Sequence, residues 1–187
     1  MNLPNFITLL RVVAIPFFAI SLWYGRLGPA LFIFIGAGLT DLLDGWIARR
    51  FNQRSRVGAI LDPAADKLMM LTAFILMSLV STLEISYRIP VWVAILSISR
   101  DVIIATISLM YYMKEEYLNK TPSSLGKFTT GVEFVAISVG LLLNTVTPRP
   151  WFEDLNLLIF YVVAIFVLIS GLHYFFRVFE SDRQPPA

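Results

Sequence analysis

At 187 residues the chain has the length of one domain, and it is 57% hydrophobic with only 15% charged residues. A mean hydropathy of +0.74 lies outside the range of ordinary soluble domains and points to a membrane protein. A net charge of +2 without a long basic run argues against a nucleic-acid reader, and the absence of cysteine excludes disulfides, thiolate zinc sites and cysteine nucleophiles.

A membrane span needs roughly 20 mostly apolar residues. The sequence predicts six, in the order Phe6 to Tyr24, Pro29 to Phe51, Gly58 to Thr82, Pro90 to Met113, Phe128 to Val146 and Leu155 to Phe179. Turn chemistry separates them: Gly25 to Gly28, the FNQRSR segment, Tyr87 to Pro90, the EEYLNKTPSS stretch and TPRP at Thr147 to Pro150. The opening run has no basic cluster before it and no small-residue cleavage site, so it is expected to stay as the first span. The expected fold is an all-α integral membrane domain over residues 1–180, with a short polar tail at 181–187.

Basic residues in the short connections set the expected orientation. Arg49, Arg50, Arg54, Arg56, Lys114, Lys120, Lys127, Arg177 and Arg183 fall on one side; Arg26, Arg88 and Arg149 fall on the other. That imbalance places both termini and the second and fourth connections in the cytoplasm. Trp23, Trp92 and Trp151 fall near the opposite ends of their spans, as an interfacial aromatic belt requires.

Where the second span meets the third, the chain reads TDLLDGWIARRFNQRSRVGAILDPAADKL, with Asp41, Asp44, Asp62 and Asp66 embedded in apolar sequence. Spacings of three and four stack side chains on one helical face, and two helices joined by a short turn let the pairs face each other. Four carboxylates close together near lipid repel strongly and demand a compensating cation. Lys67 and Arg49 are too few for that. Oxygen-only ligands favour hard divalent ions such as Mg²⁺ or Mn²⁺, and four carboxylates suit a paired-metal site for phosphoryl chemistry, set in a polar cavity on the cytoplasmic side. Gly45, Ala48 and Gly58 leave room for a bulky ligand against the backbone, while Arg49 offers a planar cation suited to phosphate. A divalent-cation or ion-coupled transporter is the alternative from another functional class, although a carrier has no need for a nucleotide-shaped clearing.

With its spacings the stretch is Asp41-x2-Asp44-Gly45-x2-Ala48-Arg49-x8-Gly58-x3-Asp62-x3-Asp66. It matches, position by position, the signature of the CDP-alcohol phosphotransferase family, and the six-span outline resembles that family's fold. The resemblance implies a homodimeric integral membrane enzyme that uses two divalent metals to displace CMP from a CDP-linked donor with an alcohol. By the same resemblance Asp41, Asp44, Asp62 and Asp66 are metal ligands, and Asp66 is also the general base. Asp41, Gly45, Ala48, Arg49 and Gly58 form the CDP site.

The opening NLPNFITLLRVVAIP, through Asn5, Thr8, Arg11 and Pro16, and the LDPAADKL segment resemble the bacterial subgroup that makes phosphatidylglycerophosphate. That implies CDP-diacylglycerol as donor, sn-glycerol 3-phosphate as acceptor and the bacterial inner membrane as location. An anionic acceptor calls for extra cations, for which Arg100 and Lys127 are the candidates; an internal pair with Asp101 is the other reading of Arg100. Arg100-Asp101 and Glu133 stand where that subgroup has Arg-Glu and Gln, and Arg-Asp also resembles the cardiolipin synthases, whose acceptor is phosphatidylglycerol. His173 carries no expected proton-transfer role, and Met69, Met70 and Met77 are expected to pack.

Overall fold

The computed structural model describes residues 3–50, 58–80, 85–113 and 124–182; side chains are described for 7–40, 64–80, 85–107 and 124–176. Six helices run through the described residues: α1 Leu3–Trp23, α2 Leu27–Arg50, α3 Gly58–Leu79, α4 Val91–Met113, α5 Ser124–Thr145 and α6 Trp151–Asp182. Each overlaps one predicted span. The largest departures are at α5 and α6, which begin four residues earlier than expected, at Ser124 and Trp151. The extra turns carry Ser124 and Lys127 in α5 and Glu153 and Asp154 in α6, so hydropathy alone set the boundary too late.

The α1–α2 turn is closed by local chemistry. Gly25 takes φ of 66°, its N–H donates to the Leu22 carbonyl at 3.0 Å, and the Arg26 N–H donates to Ser21 at 2.8 Å. This paired pattern satisfies the last carbonyls of α1 and needs a residue at ease in the left-handed region. The chain then returns along α1, and the Arg11 Nε donates to the Ala37 carbonyl on α2 at 3.2 Å.

The core gathers one stripe from each helix. Phe18 and Leu22 of α1, Phe34 of α2, Met69, Met70 and Met77 of α3, Val93 of α4, Ile137 and Leu141 of α5, and Phe160, Val163 and Val167 of α6 are all buried. The three methionines therefore pack, as expected. Phe34 stacks on Phe134 with ring centroids 5.0 Å apart, and its other neighbour Phe18 lies at 5.5 Å. α2 and α5 approach so closely beside this stack that a Cβ at Gly38 would sit 2.3 Å from the Phe134 ring.

The outward faces are also apolar: Phe17, Phe32, Ile95, Leu158, Ile165 and Leu172 are each more than half exposed. A soluble protein does not present so much continuous apolar surface to water. Among the described residues, α5 over Ser124–Thr145 and α6 over Trp151–Phe176 are long and apolar enough to cross a membrane. Composition and surface together mark a membrane protein.

Asparagines tie the helices together at one end. Asn144 of α5 accepts the Tyr87 N–H through Oδ1 at 2.9 Å, and its Nδ2 donates to the Tyr87 carbonyl at 2.9 Å. Asn156 of α6 donates to the Arg88 carbonyl at 2.8 Å, and Arg88 Nη1 donates to Val80 at 2.8 Å. The segment before α4 is thus stapled by amide side chains that stand in for missing backbone partners. Trp23, Trp92 and Trp151 lie half exposed at this same end.

Candidate active site

The aspartate motif occupies the C-terminal part of α2 and the first turns of α3. Backbone over 41–50 and 58–66 is helical, so Asp41 and Asp44 keep their one-turn spacing, as do Asp62 and Asp66. The side chains of Asp41, Asp44, Asp62, Gly45, Ala48, Arg49 and Gly58 lie outside the described residues, as does the polar cavity predicted around them. Asp66, the ninth residue of α3, is half-buried. Among the described residues no three acidic or histidine side chains cluster. Three of the four predicted ligands fall outside that set. The motif offers carboxylate oxygen donors alone, in matched helical register on two consecutive helices with Asp66 half-buried, and this donor set fits hard divalent cations.

Beside Asp66 lies an ionic network linking four helices. Lys67 of α3 donates to the Asp101 Oδ2 of α4 at 2.6 Å and to the Thr130 hydroxyl of α5 at 3.4 Å. Asp101 Oδ1 accepts from Arg100 Nη1 at 2.7 Å, and Arg100 Nη2 donates to the Ser170 hydroxyl of α6. The Arg100 side chain is only 7% exposed, whereas that of Lys67 is 41% exposed. Glu133, one turn beyond Thr130 on α5, is buried within electrostatic reach of Asp101, Lys67 and Arg100. Its Oε1 has no hydrogen-bond partner among the described residues. Lys127, one turn before Thr130, is exposed, and so is His173 on α6.

The internal Arg100–Asp101 pair is therefore present. Sequence reading did not find the bridge from Asp101 to Lys67, the contact with Thr130, or the Ser170 partner of Arg100. A signal existed for the first of these. Asp101 and Arg100 sit near the middle of a 23-residue apolar helix, where ionisable groups need partners, and Lys67 stands equally far along a neighbouring span, as the tenth residue of α3. The register between helices decides which partner each group meets, and a single chain read linearly does not contain it.

Near the network, α4 and α6 enclose a groove of about 400 Å³ walled by Ile103, Ile104, Val167 and Leu168, with Arg100 on its lining. Its walls are apolar, so it is distinct in character from the cavity expected around the aspartates.

The model of the CDP-alcohol phosphatidyltransferase family matches residues 1–175. The chain belongs to the CDP-alcohol phosphatidyltransferase family. Within the family it is 35% identical over 182 residues to the CDP-diacylglycerol–glycerol-3-phosphate 3-phosphatidyltransferase of Haemophilus influenzae, covering 92% of this chain and 91% of that one. It is 34% identical to the enzymes of the same name from Escherichia coli strain K12 and Shigella flexneri, with 92% of each chain covered. The eight motif residues thus lie within a match that spans nearly the whole sequence. Family membership takes away the ground for the carrier reading.

Proposed function

We propose that this family member transfers the phosphatidyl group of CDP-diacylglycerol to sn-glycerol 3-phosphate, releasing CMP and forming phosphatidylglycerophosphate. The observation that carries the reading is full-length similarity, at 34–35% identity, to bacterial enzymes named for that reaction. The complete aspartate motif supports it.

In this reading the chain is an inner-membrane protein with six spans, one domain over residues 1–180, both termini in the cytoplasm and the active site facing the same side, and it works as a homodimer. The diacyl tails stay in the bilayer while the headgroup enters from the cytoplasmic face. Asp41, Asp44, Asp62 and Asp66 hold two divalent cations, Mg²⁺ or Mn²⁺, which when bound supply positive charge against the diphosphate and the departing CMP. Gly45, Ala48 and Gly58 leave space for the cytidine and diphosphate, and Arg49 pairs with phosphate oxygen. Asp66 takes the proton from the acceptor hydroxyl as its oxygen bonds to the phosphatidyl phosphorus, while the bond from that phosphorus to the CMP oxygen breaks. Of the two cations assigned from sequence to the acceptor phosphate, Lys127 is exposed, whereas Arg100 is enclosed and tied to Asp101 and Ser170.

Purified protein with Mg²⁺ and labelled CDP-diacylglycerol tests this directly with an acceptor panel of glycerol 3-phosphate, phosphatidylglycerol, inositol phosphate and serine. CMP release with glycerol 3-phosphate and a phosphatidylglycerophosphate product is expected. Cardiolipin formed from phosphatidylglycerol would replace the acceptor assignment, and no CMP release with any alcohol would refute the transferase reading.

A further inference from the structure

Among the described residues, Lys67, next to Asp66 in the chain, is a cation both reachable and held in place. Arg100 is enclosed, its two terminal nitrogens committed to Asp101 and Ser170. Lys67 is the opposite case. Its side chain is 41% exposed, and its two contacts among the described residues use two of its three ammonium hydrogens. Those contacts are themselves oriented. The Thr130 hydroxyl donates its proton to the Gly126 carbonyl at 3.2 Å, which leaves a lone pair for Lys67. Asp101 gives one oxygen to Lys67 and the other to Arg100, so one carboxylate is shared between two cations, with the buried Glu133 within electrostatic reach of both. Lys67 also directly follows Asp66 in α3, and the exposed Lys127 stands one turn from Thr130 on α5.

We propose that Lys67 is a specificity-determining residue that binds the phosphate of an anionic acceptor, held for that role by Asp101 and Thr130, while Arg100 serves as a structural cation of the helix interior. The inference rests on the transferase reading above and adds to it the group that recognises the acceptor. The recognised chemistry is a phosphate oxygen anion. It could come from a soluble phosphomonoester such as glycerol 3-phosphate or from the phosphodiester of a lipid acceptor such as phosphatidylglycerol.

The test is steady-state kinetics in detergent with both substrates varied, on the full chain and on Lys67→Gln, Lys67→Arg and Thr130→Val. For Lys67→Gln the KM for glycerol 3-phosphate is expected to rise about 10- to 100-fold, the loss of one charge-assisted contact. The KM for CDP-diacylglycerol and the kcat at saturating acceptor should hold. Lys67→Arg keeps the charge and should recover most of the acceptor affinity; Thr130→Val should raise the acceptor KM by a smaller factor. An unchanged acceptor KM in Lys67→Gln overturns the proposal, and so does a loss of turnover that saturating acceptor does not recover. Should Lys67→Gln fail to fold, Thr130→Val decides, and an acceptor KM unchanged in that variant overturns the proposal. A parallel arm with phosphatidylglycerol separates the two phosphate sources, the KM shift appearing with whichever acceptor Lys67 serves. A parent protein that releases no CMP refutes the transferase reading instead, so the two failures are distinct.

Discussion

Replacing Asp101 with Asn removes a carboxylate that joins α3 to α4. Two ionic contacts are lost together: Lys67 at 2.6 Å and Arg100 at 2.7 Å. They are not worth the same. The Lys67 side chain is 41% exposed, so its pair behaves like a solvent-accessible one and contributes about 0.2–1 kcal/mol. Arg100 is 7% exposed and loses a charged partner with little water to replace it, a loss of about 1.5–3 kcal/mol. Together these give roughly 2–4 kcal/mol, with the Arg100 side dominating. For a chain of this length, each kcal/mol moves the midpoint by about 2–4 °C, so a fall of roughly 4–16 °C is expected. The assay is the midpoint of thermal unfolding of detergent-solubilised protein, followed by the fraction that stays soluble and monodisperse. Asp101→Glu, which keeps the charge on a longer arm, should recover part of the loss. A midpoint for Asp101→Asn indistinguishable from the parent would show that Arg100 has another adequate partner, and the electrostatic account of this network would be wrong.

Asp66→Asn should lower turnover by about 10²-fold or more while the thermal midpoint stays near that of the parent; retained CMP release would assign the base elsewhere. Removing divalent cations with a chelator should abolish turnover, with Mg²⁺ or Mn²⁺ restoring it, and activity that survives exhaustive chelation would remove the metal-ligand role from the four aspartates. Gly38→Ala should destabilise by about 1–3 kcal/mol, because the new methyl meets the Phe134 ring, itself stacked on Phe34; the added substitution Phe134→Leu should recover part of this in the same thermal assay. Asn144→Leu removes both amide bonds to Tyr87 and should speed hydrogen exchange and proteolysis in the 85–90 segment, whereas unchanged protection there would mean the amide staple is dispensable.

The helices were legible because each is an apolar run bounded by turn residues, and that pattern is a property of consecutive residues. Their polar ends were less so: the first turn of α5 and the first turn of α6 carry Ser124, Lys127, Glu153 and Asp154, which read as connection until their backbone is seen to be helical. The aspartate motif was legible as a spacing, and the helical backbone over 41–50 and 58–66 keeps that spacing in register. Asp101 shows where this stops. Its immediate neighbour Arg100 could be named as a partner from the sequence, but Lys67, 34 positions away, could not, because pairing across helices depends on rotation and axial offset between them. Ser170 and Thr130 are read as ordinary helix hydroxyls for the same reason; only packing turns one toward a guanidinium and the other toward an ammonium.

The sequence by itself therefore determined the membrane class, the helix order, and the carboxylate motif with the chemistry its residue types allow, all of which are local or periodic along the chain. Tertiary structure alone decided which cation is enclosed and which is reachable, and that Asp101 is shared between them. Burial and partner choice arise when four helices come together, and no single segment carries that information.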